Sequence, residues 1–470
     1  MRLSGVKGLA GLVLAAGIAA TAPQLARAET LTDTLIAAYR NSNLLEQNRA
    51  VLRAADEDAA QALAGLRPVL NFIARGSWRS GVGIDGAETP ENPDLAPPQS
   101  VNATFELAAE VTLLDFGRGQ LGIDAARENV LATRATLRNV EQQVLLQAVQ
   151  AFMDVRSAAQ TVGLRRNNLE LIRQELQAAR DRFEVGEITR TDVAIAEARL
   201  AAARSNLAAA EGDLDVARES FNAAVGRYPG DLRNPARRPE TASSLEAAQN
   251  VARRNHPAII EARHQVAASE LNVEIARLAR QGSVNAGANL STALPGDDAE
   301  LSASLSYSRP IYRGGQLSST YRQAVARRDS ARAALHQTVA EVLQQVGAAW
   351  SGVRVAQARL AASDQQISAA QTAYEGVSEE ATLGARTTLD VLDAEQELLD
   401  ARTTRISAEA ALQTATYRLL QAMGLLTVDH LDLGIPTYDP EAYYEAVRDA
   451  PATSIQGERL DRVLESIGRQ

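Results

Sequence analysis

Residues 182–193 read Arg182-Phe-Glu-Val-Gly186-Glu-Ile-Thr-Arg-Thr191-Asp192-Val193, and residues 382–391 read Thr382-Leu-Gly384-Ala-Arg386-Thr-Thr-Leu-Asp390-Val391. The two stretches say the same thing about 198 residues apart: Gly186 matches Gly384, Asp192 matches Asp390 and Val193 matches Val391. The match runs on through Glu197 and Glu395 to Arg204 and Arg402. Each copy has a glycine where a helix can end, then Thr and Asp where the next can be capped. Duplication on this scale constrains architecture more than any single motif.

Upstream, Arg40-Asn41 and Arg49 match Arg254-Asn255 and Arg263 at an offset of 214, whereas Gly119-Gln120-Leu121 matches Gly315-Gln316-Leu317 at an offset of 196. The 18-residue difference falls on Ser80 to Ser100, a Gly-, Pro-, Asn- and Asp-rich stretch that reads as a longer loop in the first copy. The expected division is a signal peptide at 1–28, a first repeat at 29–228, a second at 245–424 and a C-terminal tail at 425–470. Each repeat predicts the same order: a helix (about 43–66 and 257–280), two strands, a very long helix, the Gly/Thr/Asp break and another helix (about 191–225 and 388–423).

The long helices, about 118–183 and 316–380, carry apolar residues at steps of three and four. Leu137, Val140, Val144, Ala148, Phe152 and Val155 form one seam; Leu335, Val339, Val342, Val346, Trp350 and Val353 form the other. That is a narrow coiled-coil stripe rather than a broad globular face. A 65-residue helix is roughly 98 Å long, far more than a domain core or a bilayer needs.

The expected strands, about 69–79 and 101–114, then 283–292 and 299–312, alternate with period two. Val101, Ala103, Phe105, Leu107, Ala109, Val111 and Leu113 oppose Asn102, Thr104, Glu106 and Glu110. Leu301, Ala303, Leu305 and Tyr307 oppose four serines. Such alternation suits a membrane β-strand and equally a half-exposed strand of a soluble sheet. Context favours the membrane. Arg2 and Lys7, an apolar run over 8–20 and Ala26-Arg27-Ala28 form an export signal. Four strands cannot close in lipid, so the membrane reading requires a homotrimer with twelve strands.

The chain has no cysteine, which excludes disulfides, thiolate metal sites and a lipidated cysteine. Losing Arg2, Lys7 and Arg27 would lower the net charge from −10 to −13, which disfavours nucleic acid as a partner. Alanine is the largest part of the 46% hydrophobic share and aromatics are 4%, a composition for long, closely packed helices.

These strings resemble the TolC family of outer-membrane export ducts over roughly residues 30–428. Arg182-Phe-Glu-Val-Gly186 with Thr191-Asp192, Gly384-x-Arg386-Thr-x-x-Asp390-Val-Leu-Asp393-Ala, and Arg309-Pro-Ile-Tyr-Arg-Gly-Gly315 carry the resemblance. It implies a mainly helical fold with a β-barrel part: a trimeric α-helical tunnel continuous with a 12-stranded outer-membrane barrel. The implied function is export of proteins or small toxic compounds, as in type I secretion or drug efflux. Expected partners are a periplasmic adaptor (membrane fusion) protein and an inner-membrane ABC or RND transporter, docking near Gly186 and Gly384. The tail is expected to wrap the tunnel's waist. No cofactor, metal or enzymatic activity is implied. The alternative from another class is a periplasmic coiled-coil scaffold without a channel.

Asp390 and Asp393 lie three apart on a predicted helix and face the same way. Threefold symmetry would make them a ring that attracts cations; on residue chemistry alone the acidic helix start is the favoured reading. The resemblance places them at the periplasmic entrance and assigns Arg386, Thr191 and Asp192 to a gate latch. Here the chain departs from the family pattern: Ala381 stands where a tyrosine is expected, and Glu409 where a basic partner is. Gly117-Arg-Gly119-Gln-Leu-Gly122 is a literal dinucleotide fingerprint, but no second parallel strand follows it. Gly117 and Gly119, with Pro310, Gly314 and Gly315 in the second copy, read instead as turns from barrel wall into tunnel helix. The four histidines, at 256, 264, 336 and 430, have no ligand spacing.

Overall fold

The computed structural model describes residues 29–79, 100–235, 239–294 and 298–449. The expected signal peptide, most of the first-copy loop and the tail beyond 449 lie outside the described residues. In order, the elements are α1 (Leu31–Asn41), α2 (Asn43–Ala64), β1 (Val69–Arg79), β2 (Ser100–Leu114), α3 (Arg118–Glu184), α4 (Arg190–Val225), α5 (Leu245–Asn255), α6 (Pro257–Leu278), β3 (Ser283–Leu294), β4 (Glu300–Ser308), α7 (Gln316–Thr382), α8 (Thr388–Ala422) and α9 (Pro440–Val447).

The repeat is closer than the string matches suggest. The 22-residue α2 and α6 begin 214 residues apart, and the 67-residue α3 and α7 begin 198 apart. The left-handed glycines capping the long helices are therefore Gly117 and Gly315, with φ of 87° in both. Matching Gly119 to Gly315 is two residues out of structural register. The offset narrows by 16 residues, not 18, between β1 and β2.

Two further corrections concern element ends. β4 stops at Ser308 rather than near 312, because Pro310 has no N–H to give a ladder. Helices α1 and α5 were not expected. Each is 11 residues, too short for a periodic signal, yet each begins with a readable cap: Thr30 with Asp33 as a reciprocal box, and Ser244 bonding the Ala247 N–H.

The four strands form one antiparallel sheet in the order β1-β2-β3-β4. Its register lines up one apolar row after another: Phe72 faces Leu107, Leu107 faces Leu290 and Leu290 faces Leu301. Leu70, Ala109, Ala288 and Ala303 make the next row. The other face is polar, with Asn71, Asn289 and Ser302 in one row and an Arg75–Glu106 pair at 3.7 Å. Because every pairing is antiparallel, Gly117-x-Gly119-x-x-Gly122 has no parallel βαβ unit around it.

α3 and α4 form one hairpin and α7 and α8 the other; each folds back at its tip glycine. The main core lies at the waist, where Val144, Ala148, Phe152 and Val155 of the first seam meet Val342, Val346 and Val353 of the second. Phe221, Leu419, Leu420 and Met423 complete it. The start of the tail packs against a smaller cluster of Leu52, Ala59 and Val130 between α2 and α3: Tyr443 donates to Glu57 of α2 at 2.7 Å, and Arg134 of α3 lies over Tyr444. No helix among the described residues is long and apolar enough to cross a membrane.

Candidate functional site

The hairpin tips are built by the same local chemistry twice. α3 ends at Glu184 and Gly186 takes φ 81°; α7 ends at Thr382 and Gly384 takes φ 78°. The Glu187 N–H returns to the Arg182 carbonyl at 2.9 Å, and the Ala385 N–H to the Glu380 carbonyl at 2.9 Å. A Cβ on either glycine would meet open space, so only the left-handed backbone demands glycine there. Beside these glycines Val185 and Leu383 are 72% and 81% exposed.

The return helices then start with reciprocal capping boxes. Thr189, not Thr191, caps α4, and its hydroxyl accepts from the Asp192 N–H. Thr387 caps α8, and Asp390 accepts from the Thr387 N–H at 2.9 Å and from its hydroxyl at 2.8 Å. The backbone bond first, and the hydroxyl second, hold both Asp192 and Asp390 below the usual carboxylate range. Thr191 is exposed beside this box.

Asp393, one turn on, meets Arg199 of α4 at 2.5 Å. The two carboxylates proposed for a ring thus have different local roles: one closes a helix start, the other ties the two hairpins. Arg386 pairs with Glu380 of its own tip at 2.8 Å, and this contact raises its pKa. Among the described residues of one chain, nothing joins Arg386 to Thr191 or Asp192.

Higher up, α8 is tied to α3 by contacts that the spacing of residues does not announce. Asn168 donates to Glu395 at 2.6 Å, Arg165 stands 3.9 Å from Asp400, and Arg156 reaches Glu409 at 3.2 Å. Glu409, the departure from the family pattern, is the acidic half of such a tie, with Arg405 on its other oxygen at 3.3 Å. One sequence signal for such ties is asymmetry between the copies: Arg199 corresponds to Glu397, and Arg405, the second partner of Glu409, to Leu207, whereas Glu409 itself corresponds to Glu211.

At the sheet end, Asp115 accepts from the Gly117 N–H at 2.9 Å and the Gly119 N–H at 2.5 Å, closing the turn into α3. A Cβ on Gly119 would strike Leu66 at 2.2 Å. In the second copy Gly314 and Gly315 take positive φ just after the Pro310 break, and no side chain caps α7. His256 caps α6, His264 meets Glu128 at 2.7 Å, and no group of three potential metal ligands occurs among the described residues.

This architecture, a short sheet feeding two 67-residue helices with paired tips, coincides with one family model. The description "Outer membrane efflux protein" matches residues 35–227 and 249–425. The chain belongs to that family. The outer membrane efflux protein BepC of Brucella suis is 36% identical over 447 residues, 94% of this chain and 95% of that protein. The alkaline protease secretion protein AprF of Pseudomonas aeruginosa is 26% identical over 68% of each chain. Among solved structures, CusC superposes with a TM-score of 0.73 at 21% identity, covering 84% of this chain and 92% of that one. The open-state MtrE channel of Neisseria gonorrhoeae gives 0.72 at 20%, covering 85% and 90%. The chain is an outer-membrane channel-tunnel for export with a large periplasmic part. Its relatives are efflux channels rather than enzymes.

Proposed function

We propose that three copies assemble so that twelve strands close a barrel and six hairpins close a periplasmic tunnel. The observation that carries this is that, among the described residues, the outer edges of β1 and of β4 are unpaired on a sheet with one apolar face. Each backbone group left unpaired in lipid costs several kcal/mol, so the edges must find each other. The helices make the same demand: α3 buries 22 of its 67 residues within the chain, whereas α7 buries 7. The spare face of α7 is the wall that a neighbouring copy covers.

In this assembly Asp390 and Asp393 line the periplasmic entrance. Arg386 reaches Thr191 or Asp192 of an adjoining hairpin to latch it shut, by a charge-assisted bond that can break. The outward tips at Gly186 and Gly384 receive a periplasmic adaptor, which couples the tunnel to an inner-membrane ABC or RND transporter. Gly117, Gly119, Pro310, Gly314 and Gly315 turn the barrel wall into the tunnel. The repeats at 29–228 and 245–424 each build one hairpin, and 425–470 braces the waist. The chain carries cargo and performs no catalysis. The cargo is protein or small molecules, as AprF is named for protease secretion and CusC for cation efflux.

Purified protein in detergent, analysed by native mass and then inserted in planar bilayers, tests the assembly. Trimers with discrete conductance are expected. Monomers or dimers without conductance would favour the scaffold.

A further inference from the structure

We propose that the junction between β4 and α7 holds the headgroup of an anionic phospholipid from the periplasmic leaflet of the outer membrane. An open groove of about 860 Å³ lies there. Three arginines line it, Arg280 from the turn after α6 and Arg309 and Arg313 from the connection, and no acidic side chain does. Among the described residues none of the three forms an ion pair, although this chain pairs many of its other arginines. Arg280 instead lies over the Tyr321 ring, 5.5 Å from its centre.

The position selects a lipid over a free anion. Leu301, Ala303, Leu305 and Tyr307 share the apolar face of β4, and Arg309 follows directly on the strand's last residue, Ser308. An apolar stripe that ends in tyrosine and then arginine is graded as a bilayer is, from acyl chains through glycerol to phosphate. Ile311 is 95% exposed and Tyr312 86%, which supplies an apolar wall beside the cations. In the first copy the position two before the helix cap is Asp115, whose carboxylate is consumed by the Gly117 and Gly119 N–H groups. Its structural counterpart is Arg313, so the basic groove belongs to the second repeat alone. A trimer would carry three.

The inference rests on the reading that the apolar sheet face meets lipid, which wild-type conductance checks separately. Native mass spectrometry of the purified trimer, titrated with equal amounts of phosphatidylglycerol and phosphatidylcholine, reads the preference. Up to three phosphatidylglycerols per trimer are expected, retained over phosphatidylcholine, with preference falling about fivefold per arginine removed in R309Q, R309Q/R313Q and R280Q/R309Q/R313Q. Raising salt on the unaltered protein should weaken the preference likewise, which keeps the test open if a variant fails to fold. Equal retention of both lipids by a conducting wild type, or undiminished preference in the triple variant, overturns the proposal. So does displacement by millimolar glycerol phosphate, which would mark a site for soluble phosphate. Loss of the trimer in R309Q in every lipid would assign the arginines to a contact between protomers instead.

Discussion

Asn168 on α3 donates its side-chain amide to Glu395 on α8 across 2.6 Å, and this bond joins the two hairpins of one chain inside the tunnel wall. Glu395 is 6% exposed and its second carboxylate oxygen has no partner. Burial pushes its pKa up to about 7, the Asn168 bond pulls down against this, and Glu175 adds to the rise.

A pH dependence follows. The folded protein binds the Glu395 proton more tightly than the unfolded chain does, so stability is full below about 4.5 and falls as pH rises through about 7. The span is worth at most about 3 kcal/mol. Glu395→Gln should flatten the Tm-against-pH curve between pH 5 and 8 and raise Tm at pH 8. A variant curve parallel to the wild type would remove Glu395 as the source.

The carboxylates proposed for the entrance predict opposite effects from two substitutions. Asp390→Asn with Asp393→Asn keeps an acceptor at the α8 start but removes six charges from a trimer, and should lower cation selectivity and block by multivalent cations. Arg199→Ala removes the cation that meets Asp393 at 2.5 Å, and should raise both. Reversal potentials in a salt gradient read each. Unchanged potentials in both variants would leave the pair as a helix start alone.

How much of this was legible in the sequence depends on the range of the interaction. The tip turns, the capping acids Asp192 and Asp390, and the seams through Phe152 and Val346 are legible because each obeys a local rule of spacing. The sheet faces are legible for the same reason, since a period of two determines which of Leu107 and Glu106 meets lipid. Thr189 was overlooked as the α4 cap because Thr191 stands just beside it. Asn168–Glu395 and Arg199–Asp393 join residues 227 and 194 apart, and no spacing rule governs which azimuth one hairpin turns to the other. Glu409 read as a lost latch partner from sequence; in the fold it is an acid that Arg156 answers.

Arg386 separates a latch between chains from a staple within one. Its guanidinium meets Glu380 of the same tip at 2.8 Å, with both side chains about half exposed, so that pair alone holds little. If Arg386 also reaches across to an adjoining hairpin, Arg386→Ser should raise resting conductance well above the level of Glu380→Gln. Equal conductance in both variants would confine Arg386 to its own tip.

The tips allow docking to be tested apart from folding. Gly186 and Gly384 need a left-handed backbone, and a side chain there would extend into open space. Alanine pays about 1–2 kcal/mol for that conformation, whereas asparagine tolerates it. Gly384→Asn should therefore keep the α7–α8 turn, the trimer and the conductance while placing an amide at the proposed docking tip. Pull-down with the adaptor and export in cells are expected to fall together, and Gly186→Asn should do the same at the other tip. Full export by the Gly186→Asn/Gly384→Asn protein would move adaptor docking off the tips and onto the flanks of the hairpins.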